Sequence, residues 1–294
     1  MNWLQLEMIL CALDTERVEA ALLNAGALAV TFTDAADEPL YQTDPTQFRL
    51  WSQARVTGLF PSKTDPDAVH AVLMSVFSNL PPHQFTTLED CEWSRKWLKE
   101  FKPMRFGKRL WVCPTTYAPP DPSAVIVVLD PGLAFGTGAH ATTALCLEWL
   151  DGADLRGKTV IDYGCGSGIL AIAAAHLGAQ RVWAVDNDPQ ALIATHANAD
   201  RNQVASVLEP RPPADLPAIQ ADVLLANILA APLVELAPCF AAHLKSGGNL
   251  VLSGILDSQR DEIHNIYAPW FRFAGGAQLD KWVRMDGLRL PGNR

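Results

Sequence analysis

Long apolar runs are missing from this chain of 294 residues: none reaches the roughly 20 consecutive residues that a membrane-crossing helix needs. The amino terminus, Met1-Asn2-Trp3-Leu4-Gln5-Leu6-Glu7, lacks the basic stretch of a secretory signal and carries an early acid. Cysteine is sparse. Cys11, Cys91, Cys113, Cys146, Cys165 and Cys239 lie far apart, with no Cys-x-x-Cys and no histidine pair at ligand spacing. That argues against a metal site and a disulfide framework, and for reduced thiols in the cytoplasm. Basic density is low as well. Residues 1–90 hold 12 Asp and Glu against 4 Lys and Arg, whereas the remainder is nearly neutral, 20 against 19. Such a surface does not suit phosphate. It suits a basic protein partner, although solubility alone explains the charge equally well.

What is present is ordinary globular material, 49% hydrophobic, enough for one large domain and one small one. Residues 3–10 alternate as a strand, 14–24 resemble a helix stopped by Gly26, and 27–33 form a second strand. The order recurs with a strand over 50–60, a helix from Pro66 to Ser78 and a strand near 84–89. Two strand-helix-strand passes predict a ferredoxin-like α+β domain over residues 1–90. Residues 91–103 predict a linker helix closed by Pro103, with Trp93, Trp97 and Phe101 on one face. Packing on a domain explains that face, and so does an interdomain arm.

After a strand at 108–113 and a proline-rich stretch, the text changes. VIVVL (125–129), TVIDY (159–163), RVWAVD (181–186), DVLLAN (222–227) and NLVLSGI (249–255) are short apolar runs. Helical segments separate them at roughly 141–150, 168–178, 189–201 and 232–244. Apolar strands alternating with helices predict a mostly parallel sheet covered on both faces, an α/β catalytic domain over 104–294. FRFAGG and KWVRMDGLRL predict a closing antiparallel pair.

Gly164-x-Gly166-x-Gly168 follows the strand TVIDY and opens a helix, and Asp186 ends the next strand. A glycine turn at the carboxyl end of a parallel strand is where open α/β sheets bind ligands. Glycine lets the backbone approach a ligand without a Cβ in the way, and a carboxylate at Asp186 can accept from both ribose hydroxyls. Together they point to an adenosine-containing ligand. The dinucleotide fingerprint needs a third glycine where Ile169 stands, and no Gly-Lys-Ser/Thr of a P-loop follows. Asp162, two residues before Gly164, is unhelpful beside pyrophosphate but suits the ammonium of a methionine moiety. S-adenosylmethionine is favoured.

Asp130-Pro131-Gly132-Leu133-Ala134-Phe135-Gly136-Thr137-Gly138-Ala139-His140 runs into Ala141-Thr142-Thr143, a glycine-rich loop at a helix start. Its free N–H groups offer a seat for a carboxylate; Thr143 adds a hydroxyl and Phe135 an apolar wall. His140 there is read as structural before catalytic. Asn227 ends the strand DVLLAN on the same rim as the glycine loop. A carboxamide there can hold the hydrogens of a neutral amine and leave its lone pair aligned with a methyl donor. Ile228-Leu229 offers no stacking platform for a flipped base, which disfavours nucleic acid.

WLQL, EWSRKWLKEFKPMRFGKRLWVCP, LDPGLAFGTGAH, VIDYGCGSGILAIAA, Asp186-x-Asp188-Pro189, LLANILAAPLVELAP and LVLSGIL together resemble one family over nearly the whole chain. It is the methyltransferase family, PrmA, that acts on the eleventh protein of the bacterial large ribosomal subunit. The resemblance implies a class I S-adenosylmethionine-dependent methyltransferase domain, Rossmann-like, behind a ferredoxin-like domain that recognises the basic ribosomal protein. It also implies trimethylation of lysine side chains and of the N-terminal amine. Thr143, Gly164, Asp186 and Asn227 match the family's cofactor-contacting positions, beside Asp162, Gly166 and Phe135. Asn227 is the expected catalytic residue. The enzyme is expected to work in the cytoplasm as a monomer, without metal, nucleic acid or membrane. Ala139 and Ala141 stand where the family usually has Thr and Pro, which is expected to loosen the loop slightly. Competing readings are another N-methyltransferase of this fold, a non-catalytic cofactor-binding module and, last, a dehydrogenase.

Overall fold

The computed structural model describes residues 2–10, 15–36, 53–89, 102–118, 121, 124–130, 138 and 140–291. The chain divides into two compact units, Met1–Trp93 and Ser94–Arg294. The linker helix predicted over 91–103 lies outside the described residues except for its last two, and Phe135 and Ala139 lie outside them too.

The first unit runs β1 (Asn2–Leu10), α1 (Thr15–Asn24), β2 (Ala29–Asp34), β3 (Ala54–Pro61), α2 (Pro66–Val76) and β4 (His83–Glu89). All its strands pair antiparallel, in the order β2-β3-β1-β4. Strict alternation in β1 buries Leu4, Leu6, Met8 and Leu10 on one face, where they meet Val18 and Leu22 of α1 and Val69 and Leu73 of α2. α2 starts where it does because Asp65 accepts the N–H of Asp67 and Pro66 occupies the first turn.

The second unit opens with β5 (Met104–Phe106), β6 (Leu110–Cys113) and β7 (Val125–Val128), which make a small sheet of their own. Then come α3 (Ala141–Gly152), β8 (Thr159–Tyr163), α4 (Ile169–His176), β9 (Arg181–Val185), α5 (Pro189–Arg201) and β10 (Leu208–Arg211). After these follow β11 (Ala221–Asn227), α6 (Ala230–His243), β12 (Leu244–Leu256), α7 (Arg260–Tyr267), β13 (Phe271–Leu279) and β14 (Trp282–Arg289). The main sheet has the order β10-β9-β8-β11-β12-β14-β13, parallel through β12, with β14 antiparallel to β12 and to β13. Helices cover both faces, so neighbouring strand residues are buried on opposite sides. Val160 of β8 packs with Ile172 of α4 and Leu147 of α3, whereas Ile161 packs with Phe240 of α6 and Tyr267 of α7.

One expectation is corrected here, and two strands join those expected. VIVVL does not join the main sheet: among the described residues β7 pairs only with β6, parallel, and the Asn202 side chain takes the place of a further strand. Asn202 Oδ1 accepts from the Val128 N–H at 2.7 Å and its Nδ2 donates to the Val128 carbonyl at 2.8 Å. An apolar run announces a buried strand but not which sheet buries it. The strand expected at 108–113 is present as β6, two residues shorter, and it pairs with a further strand, β5, through a turn at Gly107 with φ +65°. Finally, β10, with the sequence LEPR, was not foreseen, because an edge strand needs no apolar run.

Candidate functional site

The parallel strands β8, β9, β11 and β12 bring their carboxyl ends to one rim, where the glycine loop 164–168, Asp186 and Asn227 assemble. The loop is held open by its surroundings. Gly164, Gly166 and Gly168 have φ of +81°, +54° and +79°, the left-handed region that other residues avoid. The reason for two of these glycines differs from close approach to a ligand. A Cβ at Gly164 would lie 2.2 Å from Ile228 Cγ2, and one at Gly168 would lie 2.8 Å from Thr195 Cγ2. Protein packing therefore demands them.

α5 grips the loop from behind. Thr195 donates to the Gly166 carbonyl at 3.0 Å and Asn198 donates to the Ser167 carbonyl at 2.9 Å. Asp186 Oδ2 accepts the Gly166 N–H at 2.9 Å, while Oδ1 accepts that of Asp188 at 3.0 Å. Each carboxylate oxygen keeps capacity for a further donor, as a ribose hydroxyl requires. Thr195 and Asn198 were missed as contributors to the site. Their signal was legible: they stand at i and i+3, polar side chains on a helix face otherwise lined by Ala191 and Ala199.

Asp162 is fully buried. Its Oδ2 accepts the Ala171 N–H of α4 at 3.0 Å, whereas Oδ1 is buried without a partner among the described residues. Burial raises this carboxyl to about 7; the Ala171 hydrogen bond opposes the rise and nearby Asp186 adds to it. An orphaned carboxylate oxygen beneath a glycine cradle is the arrangement an ammonium group completes. A carboxyl raised in the folded state contributes full stability below its unfolded value of about 3.9, and that contribution is lost as pH rises through about 7. In Asp162→Asn without cofactor, the difference in Tm from the parent protein is expected to grow from pH 5 to pH 8. A constant difference would refute the burial account.

α3 carries the second half of the site. His140 caps it: its Nδ1 accepts the Thr142 N–H at 3.4 Å and lies 2.8 Å from Thr142 Oγ1. The ring also meets Trp282 edge-on at 5.1 Å. His140 is thus a helix cap, as its structural reading had it. Behind the cap, Thr143 is buried, and its Oγ1 accepts from Asn227 Nδ2 at 3.2 Å. This bond joins the two motifs that sequence alone could only place on one rim. With Nδ2 committed to Thr143, the Asn227 carbonyl oxygen is the acceptor it can present. The far end of α3 is fixed too, since Asp151 accepts the N–H groups of Lys108 and Arg109 at 2.6 and 3.2 Å.

Ala141 is the first residue of α3, after His140 at φ −74° and ψ 138°, a conformation that tolerates a following proline. Ala141→Pro is expected to stabilise the protein by about 0.4–1 kcal/mol, read as a rise in Tm, and to tighten cofactor binding slightly. A lowered Tm would show that the first turn of α3 does not accept a proline.

Fold and site together define a class I methyltransferase with a cradle fitted to S-adenosylmethionine. The chain matches the family described as Ribosomal protein L11 methyltransferase (PrmA) over residues 2–289, and it belongs to that family. A ribosomal protein L11 methyltransferase of Aeromonas hydrophila is 50% identical over 291 residues, covering 99% of this chain and 100% of the relative. That of Pseudomonas aeruginosa is 49% identical over 291 residues, covering 98% and 99%. Among solved structures, a ribosomal protein L11 methylase from Lactobacillus delbrueckii subsp. bulgaricus superposes with a TM-score of 0.60 at 32% identity, covering 65% of this chain and 100% of that one. Among the described residues no helix is long and apolar enough to cross a membrane, and no cluster of His, Cys, Asp or Glu could hold a metal ion.

Proposed function

We propose that this protein transfers methyl groups from S-adenosylmethionine to amines of ribosomal protein L11, trimethylating lysine side chains and the N-terminal amine. It acts in the cytoplasm, as a monomer and without nucleic acid. The observation that carries the reading is the Asn227–Thr143 hydrogen bond, 3.2 Å long, at the rim that also holds the glycine loop. When bound, the cofactor supplies an electrophilic methyl group on a sulfonium. The chain's own residues do the rest. Asp186 would hold the ribose hydroxyls, the loop 164–168 would present its backbone to the methionine moiety, and Asp162 would take the ammonium group. Thr143 would complete the cofactor pocket; Phe135, expected there from the sequence, lies outside the described residues. In the first two transfers the Asn227 carbonyl oxygen would accept a hydrogen from the neutral amine, which orients the nitrogen lone pair toward the incoming methyl group. Each of those two transfers releases a proton to water or to a backbone carbonyl; the third, on a dimethylamine with no N–H, releases none. The excess of 12 acids over 4 bases in residues 1–90 supports recognition of a basic substrate by the first unit.

Incubation with S-adenosylmethionine and unmodified L11 is expected to add methyl mass in steps on lysines and the amino terminus, read by mass spectrometry of the digested product. A chain lacking residues 1–90 is expected to bind cofactor normally and to leave L11 unmodified. Full-rate modification by that shortened chain would show that substrate recognition lies elsewhere.

A further inference from the structure

The geometry points to the bulge at Ser253–Gly254 in β12 as the device that positions Asn227; the inference rests on the role proposed for Asn227 above. Between β12 and β14 the register runs from Leu252 opposite Met285 to Ile255 opposite Val283, so β12 carries one residue more than its partner. Bulges bend a strand and re-aim its side chains. Here the bulge falls beside the site, because Ser253 is the residue opposite Asn227 across the parallel β11–β12 pair.

Its two residues act in opposite directions. Ser253 is fully buried and donates from Oγ to the Thr142 carbonyl at 3.1 Å, tying the first turn of α3 to β12. The next residue on α3, Thr143, holds the Asn227 carboxamide. A closed circuit results: β12 through Ser253 to α3, α3 through Thr143 to Asn227, and Asn227 back to β12 through the sheet. On the other side, Gly254 takes φ +83°, and a Cβ there would lie 2.1 Å from the Ile228 carbonyl oxygen and 2.7 Å from its carbon. The backbone of Ile228, the residue after Asn227, therefore lies directly against Gly254. The Ile228 side chain meets Gly164 of the cofactor loop in the same way, at 2.2 Å from a Cβ built there. Two left-handed glycines thus clamp Ile228, one through its backbone and one through its side chain. Ser253 and Gly254 are positioning residues: neither needs to touch a reactant to set where the Asn227 oxygen stands.

The test uses the full chain with S-adenosylmethionine and L11, comparing Ser253→Ala in the parent and in a Thr143→Val background. Loss of the Ser253 hydroxyl, which bonds the Thr142 carbonyl and also the Cys146 thiol of α3, is expected to lower kcat about tenfold in the parent background. Cofactor Kd should change less than about twofold. In the Thr143→Val background, where the circuit is already open, Ser253→Ala should cost little further kcat. Gly254→Ala is expected to fold poorly or to lose more kcat than Ser253→Ala, and the serine series decides the matter if it does not fold. Ser253→Ala at the parent kcat, an equal loss in both backgrounds, or a loss of cofactor affinity as large as the loss of kcat would each overturn the inference. Asn227→Ala, measured alongside, separates the two levels, because full activity there would remove the proposed role of Asn227 itself.

Discussion

Asp186→Ala is expected to weaken S-adenosylmethionine binding at least about a hundredfold, measured as Kd by titration calorimetry. Two charge-assisted hydrogen bonds to ribose are worth about 1.5–3 kcal/mol each, and every 1.4 kcal/mol is a factor of ten. The structure adds a second source of loss. Asp186 Oδ2 holds the Gly166 N–H and Oδ1 the Asp188 N–H, so the alanine variant frees the glycine loop and the turn into α5 at once. Thr195 and Asn198 still hold the loop carbonyls from α5, which is why loosening and not collapse is expected. Asp186→Asn keeps one acceptor oxygen and should lose roughly tenfold. A Kd within threefold of the parent in Asp186→Ala would remove Asp186 from the cofactor site.

Asn227→Ala should lower kcat by about 10²–10³, the scale seen when one preorganised hydrogen-bonding group is removed from a reacting centre. Cofactor affinity should fall only a few-fold, because Asp186, Asp162 and the loop remain. Part of the effect comes from Thr143, whose buried hydroxyl would lose its described partner. Asn227→Asp gives a sharper readout. Its carboxylate retains acceptor oxygens but favours the ammonium form of the substrate, whose lone pair is then occupied by a proton. The residual rate of Asn227→Asp is therefore expected to climb with pH more steeply than that of the parent enzyme. Matching pH profiles in both would rule out an orienting role for this carboxamide.

The sheet order had its traces in the chain: apolar runs at 159–163, 181–186 and 222–227 became β8, β9 and β11 almost residue for residue. They did so because a strand buried on both faces must be apolar throughout. The same logic misplaced 125–129, since apolarity says nothing about which neighbour supplies the hydrogen bonds, and Asn202 supplies them there. It also passed over β10, whose residues are half exposed at the sheet edge.

The residues proposed for the cofactor stand out in the sequence because glycines at alternate positions after a strand and an acid at the end of the next are local patterns. Asp162, Gly164, Gly166, Asp186 and Asn227 come from strand ends that parallel pairing must bring together. What pattern could not supply is which groups hold these residues in place. Thr143 against Asn227 spans 84 positions of sequence and Ser253 against Thr142 spans 111. The partner of Gly164 is a side chain of Ile228, on a different strand end. The sequence by itself determined the element types, the cofactor loop and the chemistry on offer, since these depend on local backbone preference and residue type. Only tertiary structure decided the aim of the Asn227 carboxamide, because orientation is set by hydrogen bonds and packing between segments that meet only when the sheet and its helices close around one core.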